Sequence, residues 1–504
     1  MDIHSFTVYD MLKKNCRLFE NATALVSGDV RITFGELLRG VQSLSGSLSI
    51  QGVNKGDRIA ILAQNNHNFF LLLGAAAAMG AIIVPVNWRL SIDEIQYILQ
   101  DSAPSTIFFD ENFKNVISQL RAKCDSLKKY FVFGQSEDDY ISFTELMGNY
   151  PAKEAEIKGN DPYIIIYTAA IQGQPRGAIL SQDNVIFCNI QVASMMGLSS
   201  NDTYLNFLPF FHVAGIVIPF SVMHLGGRNV IMAKFDPKAV AGKIEKERVT
   251  IITTFPPVLR QIMAEISKGT YDLSSLKYAF GFLESSDTIA DFEKKTGCQF
   301  WVGYGQTETT GVTCLGLKSE KPGSAGKQGT LVNIKIVDEY GRDLETGEKG
   351  EILVRSPIVF HGYWRQEELT RWTFRDGWHH TGDMGYLDNE GYLWYVGRKA
   401  EKELIKPGGE NVYPVEVEKV ILEHPGVNEV TVIGVPDPKF GEGIKAVCVL
   451  RPNVRLSEQE LIDFVAARIA RYKKPGYVSF VDSLPKKEDG SIDREKVKAL
   501  YGHN

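Results

Sequence analysis

The chain is poor in the features that mark several specialised protein classes. Its 504 residues include only six cysteines, at Cys16, Cys124, Cys188, Cys298, Cys314 and Cys448, and none sits in a CxxC pair or at zinc-finger spacing. Thiols scattered in this way are most simply buried apolar residues in a reducing compartment, which argues against a disulfide framework. Positive charge is not in excess either: 55 lysines and arginines face 61 aspartates and glutamates, a formal net charge of -6. Nucleic acid and anionic membranes would therefore not be attracted to the surface as a whole, and neither is expected as a partner. The opening MDIHSFTVYDMLKKN has no apolar h-region, so the expected location is cytoplasmic. A GxxxxGK[ST] phosphate loop is also missing.

Long apolar runs are nearly absent. Residues 69–86 (FFLLLGAAAAMGAIIVPV) are uncharged and about long enough to span a bilayer, but Gly74, Gly80 and Pro85 interrupt them and their character changes midway. Residues 71–79 read as a buried helix and 81–86 as a β-rich run, so no membrane span is expected.

What is present is an ordinary globular composition, 44% hydrophobic and 23% charged. The length predicts about three folding units. Strand-like runs at 58–63, 82–86, 105–109, 163–167, 229–232 and 250–254 alternate with helical patterns such as 91–99. That alternation predicts an α/β fold with parallel sheets covered by helices, whose ligands collect at the carboxyl ends of strands. From Gly329 the texture becomes short alternating strands (333–337, 350–354, 392–395) with turns at 339–342 and 388–391, a small antiparallel subdomain. Beyond Arg398 a charged segment leads into a compact α+β pattern: helices at 414–423 and 457–469, strands near 429–435 and 445–450.

Three segments carry chemistry. YIIIYTAAIQGQPRGAILSQDN (163–184) reads as a strand, a loop with Gly173, Arg176 and Gly177, then a helix. Backbone amides, a helix N-terminus and a fixed cation there would suit phosphate, although such a connection is more often only a turn. WVGYGQTETTG (301–311) brackets Tyr304 with Gly303 and Gly305 and follows it with Gln306, Thr307 and Glu308. The aromatic would stack on a base, the hydroxyls would meet phosphate, and one carboxylate would suit Mg²⁺; a capped helix start is an equal alternative. In HTGD (380–383), Asp383 would accept hydrogen bonds from a vicinal diol and Arg398 would reinforce it, though taken alone TGD is more often a turn.

The order of these segments, together with LPFFHVAG (208–215) and GGENVYPVEVE (408–418), resembles the adenylate-forming family of acyl-CoA synthetases, luciferases and peptide-synthetase adenylation domains. The likeness covers nearly the whole chain. It implies a large N-terminal domain (1–398) of two parallel-type β/α subdomains plus the small antiparallel one, a hinge at 399–403 and a mobile α+β C-terminal domain (404–504). It implies an acid:coenzyme A ligase using ATP/AMP, Mg²⁺ and coenzyme A, with an acyl-AMP ligase for a carrier protein or a non-catalytic binder as alternatives. By resemblance Thr168, Gly173, Arg176, Gly177 and residues 303–307 line the AMP site. Thr307 meets the α-phosphate, Glu308 meets Mg²⁺, and Gly281, Phe282, Leu283 and Glu284 run along adenine. Asp383 and Arg398 hold the ribose. His212 gates the acyl pocket, Lys402 and Glu403 are hinge residues, Gly408 and Gly409 line a pantetheine tunnel, and Lys234 is a weaker contact for a coenzyme A phosphate. Phe207, Leu208, Phe210, Phe211, Val213 and Ala214 would form an apolar pocket wall, with no obvious cation for a second carboxylate. A homodimer is the common assembly for such folds.

Two departures from the family pattern stand out. The phosphate loop, usually close to YTSGTTGxPKG, reads YTAAIQGQPRG, so Ala169, Ala170, Ile171 and Gln172 replace hydroxyl donors and a glycine. The lysine that follows the C-terminal loop glycine is Ser491, and loss of one transition-state donor costs about 10²–10³ in rate; Lys486 or Lys487 would need a register change to replace it. Both changes fall on adenylation, so the expectation is an intact thioester-forming half beside a slowed adenylating half.

Overall fold

The computed structural model describes residues 5–137, 139–168, 174–269, 271–281, 285–398, 404–487 and 492–502. The apolar run resolves as its interrupting residues predict. Helix Asn68–Met79 is buried from Phe69 onward, and Gly80, with φ of 73°, ends it by donating its N–H to the Ala76 carbonyl. Glycine takes this left-handed position without the clash a Cβ would bring. Strand Ile82–Pro85 follows immediately, buried at every position. The helix lies in a core with Phe34, Leu37, Val41, Ile59, Ile83 and Tyr163. Among the described residues, no helix is long and apolar enough to cross a membrane. Five cysteines are buried, and burial pushes the Cys188 thiol up to about 12, which fits inert packing residues.

Two large sheets form the body of the molecule. One has seven strands, with Arg58–Leu62 between Thr106–Asp110 and Ile82–Pro85, and Pro162–Thr168 and Arg176–Ser181 at one edge. The other has nine strands, with Thr203–Asn206, Ile251–Thr254, Tyr278–Gly281 and Gln299–Tyr304 side by side and parallel. Their near-continuous β-branched and aromatic residues suit strands covered on both faces. A four-stranded antiparallel sheet joins Asn333–Val337, Gly350–Arg355, His379–Leu387 and Leu393–Arg398 in order. The C-terminal unit carries its own core on a three-stranded sheet, Val427–Asp437, Gly441–Leu450 and Tyr477–Phe480, flanked by helices Pro414–Leu422, Glu458–Ala466 and Arg494–Tyr501.

Two local expectations are corrected. Residues 163–184 are not strand–loop–helix. Arg176–Ser181 is a strand pairing antiparallel with Pro162–Thr168, and the helix Gln182–Met196 begins only after Ser181 caps it. The N-terminus of this helix therefore follows the strand at Ser181 and does not directly follow the 169–175 loop. HTGD is not an isolated turn: it lies within the nine-residue strand His379–Leu387, where Gly382 at φ 68° and two register shifts kept its alternation from showing.

Candidate active site

The carboxyl ends of strands in the nine-stranded sheet, the antiparallel sheet and the C-terminal unit enclose a cleft of about 750 Å³. Its base is a buried polar cluster. The register between His379–Leu387 and Leu393–Arg398 sets Asp383 directly opposite Arg398, and their side chains form an ion pair at 3.0 Å. The Tyr304 hydroxyl donates to Asp383 Oδ2 at 2.8 Å, and Gln306 Nε2 donates to the same oxygen at 3.0 Å. Burial works against the Arg398 charge, but Asp383, Tyr413 and Tyr395 outweigh it and raise its pKa. The rings of Tyr304 and Tyr395 stack at 6.0 Å. A buried, already oriented carboxylate beside aromatic faces fits a ribose and its base.

Gly305 is required by backbone approach. A Cβ there would lie 2.1 Å from the Gly311 carbonyl oxygen, so the chain can turn into the 3₁₀ turn Thr307–Thr309 only with a bare backbone. That turn presents Thr307 and Glu308 to the cleft. Glu308 Oε1 accepts from the Tyr363 hydroxyl at 2.8 Å. Tyr363 is set in place because Trp364 N–H donates to the Gly177 carbonyl at 2.7 Å and Ile179 N–H to that of Gly362 at 3.0 Å. The Arg176 guanidinium lies 5.9 Å from the centre of the Tyr363 ring. One fixed carboxylate facing an open cleft matches Mg²⁺, which takes few protein ligands and completes its shell with phosphate and water oxygens.

The mouth of the cleft is built by the C-terminal unit. Gly408 and Gly409 have φ of 59° and 85°, and a Cβ on Gly409 would lie 2.6 Å from the Phe255 ring. Glu410 pairs with the Arg89 guanidinium and lies 3.3 Å from His212 Nε2. Arg89 is held over the Trp88 and Phe211 rings, 5.0 and 5.5 Å from their centres. Burial and the Arg89 charge push the His212 imidazole down to about 4. Because Arg89 already balances Glu410, the carboxylate does not restore the imidazolium. A neutral ring facing a carboxylate through Nε2 carries its proton there, which leaves Nδ1 as the lone-pair nitrogen. Arg398 Nη1 donates to the Tyr413 hydroxyl at 3.2 Å, tying the Asp383 cluster to the GGENVYP segment.

The cleft gathers Thr168, Arg176, His212, Gly281, Gly303, Tyr304, Gly305, Gln306, Thr307, Glu308, Asp383, Arg398 and Gly409 on its walls. Other expected residues are placed differently. Gly177 is a strand residue opposite Tyr167, where a Cβ would press on Ile165 at 2.7 Å, so it serves packing. Gly408 stands beside the mouth and donates its N–H to the Phe440 carbonyl. Lys234 is exposed and off the cleft walls. Lys486 is tied to Glu429 at 2.8 Å, and neither it nor Lys487 reaches the cleft. Phe207 and Phe210 are not pocket walls: each is buried in a core, Phe210 against Phe69 and Phe70. Gly173, Phe282, Leu283, Glu284, Lys402, Glu403 and Ser491 lie outside the described residues, as do the 399–403 hinge and the 169–172 replacements. Sequence reasoning missed Arg89, Tyr363, Lys406 and Tyr413, and quoted Glu410 without giving it a role. It also missed Arg260 and Lys318, two cations on the cleft walls. Only Glu410 and Tyr413 carried a signal, inside a quoted motif.

Comparison with known proteins agrees with this geometry. Residues 12–364 match the AMP-binding enzyme family and residues 416–491 match the AMP-binding enzyme C-terminal domain. A feruloyl-CoA synthase from Amycolatopsis sp is 33% identical over 494 residues, covering 97% of this chain and 98% of its own. A long-chain-fatty-acid–CoA ligase from Mycobacterium tuberculosis is 33% identical over 503 residues, with coverages of 97% and 98%. Among solved structures, an o-succinylbenzoate CoA synthetase double mutant from Bacillus subtilis, bound with its product analogue, superposes with a TM-score of 0.86 at 29% identity over 97% of each chain. On these matches the chain belongs to the AMP-binding enzyme family and is an AMP-forming acid–thiol ligase of the acyl-CoA synthetase kind, working with ATP, Mg²⁺ and coenzyme A.

Proposed function

We propose that the substrate is an apolar carboxylic acid of medium-chain, aromatic or alicyclic type, and that this chain is better equipped for thioester formation than for adenylation. The observation that carries the reading is the pairing of the two ends of the cleft. The Asp383–Arg398 cluster and the Gly408–Glu410 mouth are both assembled in one structure, whereas Lys486 and Lys487 stand away. Leu208, Pro209, Val213 and Ala214 give the cleft an apolar wall, which favours an uncharged acyl body. Two acids named by the similar proteins, ferulate and long-chain fatty acids, are of that character, whereas o-succinylbenzoate carries a second carboxylate.

In the first half-reaction the substrate carboxylate attacks the α-phosphorus of ATP and pyrophosphate leaves. In the second, a thiolate attacks the acyl carbonyl and AMP leaves. Asp383 orients the nucleotide through its ribose, and Arg398 fixes that carboxylate in place through their ion pair. Thr307 donates to the α-phosphate, and Arg176 offsets charge on the phosphates. Glu308 would hold Mg²⁺, which neutralises phosphate charge when bound. Gly409, bare against the Phe255 ring, lets the loop close up to the mouth through which a thiol arm enters, and His212 stands where that arm meets the acyl group. Donors fixed before the reaction stabilise developing negative charge without reorganising.

The test is a panel of acids of increasing size (acetate, hexanoate, octanoate, benzoate, ferulate and succinate) incubated with ATP, Mg²⁺ and coenzyme A, with products read by mass spectrometry. Thioesters should form with hexanoate, octanoate or the aromatic acids and not with succinate. A preference for acetate or succinate would overturn the assignment of acid class.

A further inference from the structure

The segment 87–94 of the N-terminal domain meets the C-terminal domain through two ionic contacts of opposite polarity. Arg89 offers a cation to Glu410. Five residues on, Glu94 offers an anion to Lys473, whose Nζ lies 2.6 Å from Glu94 Oε1 and 3.1 Å from Glu416 Oε2. The second contact is dry: the side chains of Lys473, Glu416 and Glu94 are 4%, 7% and 15% exposed. The Ala470 N–H also donates to Glu94 Oε2 at 3.1 Å. Glu94 is itself held by a capping box, accepting from the backbone and hydroxyl of Ser91 at 2.8 Å at the start of helix Ile92–Ser102. Burial opposes both charges, yet Glu416, Tyr472 and Glu94 keep Lys473 above the ordinary lysine value, and Lys473 and Ser91 keep Glu94 below the carboxylate range.

We propose that residues 87–94 are a docking receptor for the C-terminal domain, in which Glu94 and Lys473 are positioning residues that hold residues 408–410 at the mouth of the cleft. Neither touches the cleft, so their effect passes through the orientation of a whole domain. Buried charge gives the contact its selectivity: a buried ion that loses its partner is strongly penalised. A domain that lifts away lets water reach the charge, so the penalty is expected to appear as undocking. Two pairs of opposite sense also reject a shifted docking, because a slip along the segment would bring like charges together. This inference rests on the reading of 408–410 as the thiol entrance.

The test uses full-length Glu94→Gln and Lys473→Met variants and the double charge swap Glu94→Lys with Lys473→Glu. Glutamine keeps the capping box and removes only the charge. Hydrogen exchange read by mass spectrometry over residues 404–413 needs no substrate, so it reports docking even if the acid assignment fails. Exchange there should quicken by about ten-fold or more in each single variant. Peptides from strand Val427–Asp437 should be unchanged, and the swap should restore protection. In the same variants, thioester formation from hexanoyl-AMP and coenzyme A should fall while ATP–pyrophosphate exchange is kept. Unchanged exchange at 404–413, faster exchange throughout the C-terminal domain, no restoration by the swap, or equal loss of both half-reactions would each overturn the proposal.

Discussion

Asp383 and Tyr363 show how single side chains set the chemistry. Asp383 collects three donors in a buried site, so Asp383→Asn leaves Arg398 without its counter-charge. We expect AMP to bind roughly 30-fold more weakly, from about 2 kcal/mol of lost charge-assisted bonding, and the melting temperature to fall. Calorimetric titration with AMP checks this, and unchanged affinity would contradict the ribose assignment. Tyr363→Phe removes the hydroxyl that steers Glu308 while keeping the ring. The Mg²⁺ concentration for half-maximal activity should rise by about five-fold, in line with the ~1 kcal/mol worth of one hydrogen bond. A Mg²⁺ titration indistinguishable from that of the unaltered chain would contradict the steering role. His212 offers a pH signature. Its folded pKa is about 4, below the ordinary 6.5, so between those values the unfolded chain binds the extra proton. Stability therefore rises with pH across that window and is lost as pH falls towards 4. His224, also pushed to about 4 by burial and Lys14, acts in the same sense. Thermal melts of His212→Ala should show a shallower loss between pH 6.5 and 4, with the remaining slope carried by His224.

Elements carry the next level. The loop 408–410 fits against Phe255 only because Gly409 has no side chain. Gly409→Ala should therefore slow thioester formation by at least about ten-fold, through both the positive φ and the ring contact, and leave ATP–pyrophosphate exchange intact. Separate assays of the two half-reactions decide this; equal losses would mean a folding defect. The same scale shows what residues reveal by themselves. Helix Asn68–Met79 and strand Ile82–Pro85 were legible because Gly80 and Pro85 punctuate a run too apolar for any exposed element. Strands 333–337 and 350–355 were legible from alternation. Strand His379–Leu387 was not, because register shifts break its period of two. Strand Arg176–Ser181 was hidden for another reason: local pattern does not tell a strand leading into a helix from the helix start itself. Motif residues such as Asp383 and Tyr304 could be named from sequence, but Arg89 and Tyr363 could not. Their partners Glu410 and Glu308 lie 321 and 55 residues away, and nothing local announces a contact made only by the fold.

For the whole molecule, the C-terminal domain is docked with its glycine loop in the cleft and with Lys486 bound to its own Glu429. The mouth that we propose admits the thiol is thus assembled, while no lysine from the 484–487 end of that domain stands on the cleft walls. In the reading proposed above, the residues that change the family pattern, 169–172 and Ser491, all bear on the step that consumes ATP. The most direct measurement compares two rates in the unaltered chain and in Ser491→Lys: ATP–pyrophosphate exchange with octanoate, and thioester formation from preformed octanoyl-AMP with coenzyme A. In the unaltered chain the second should outrun the first, and Ser491→Lys should raise the exchange rate by about 10²-fold while leaving the thioester rate where it was. Exchange already as fast as thioester formation, or an exchange rate that Ser491→Lys does not move, would contradict the account.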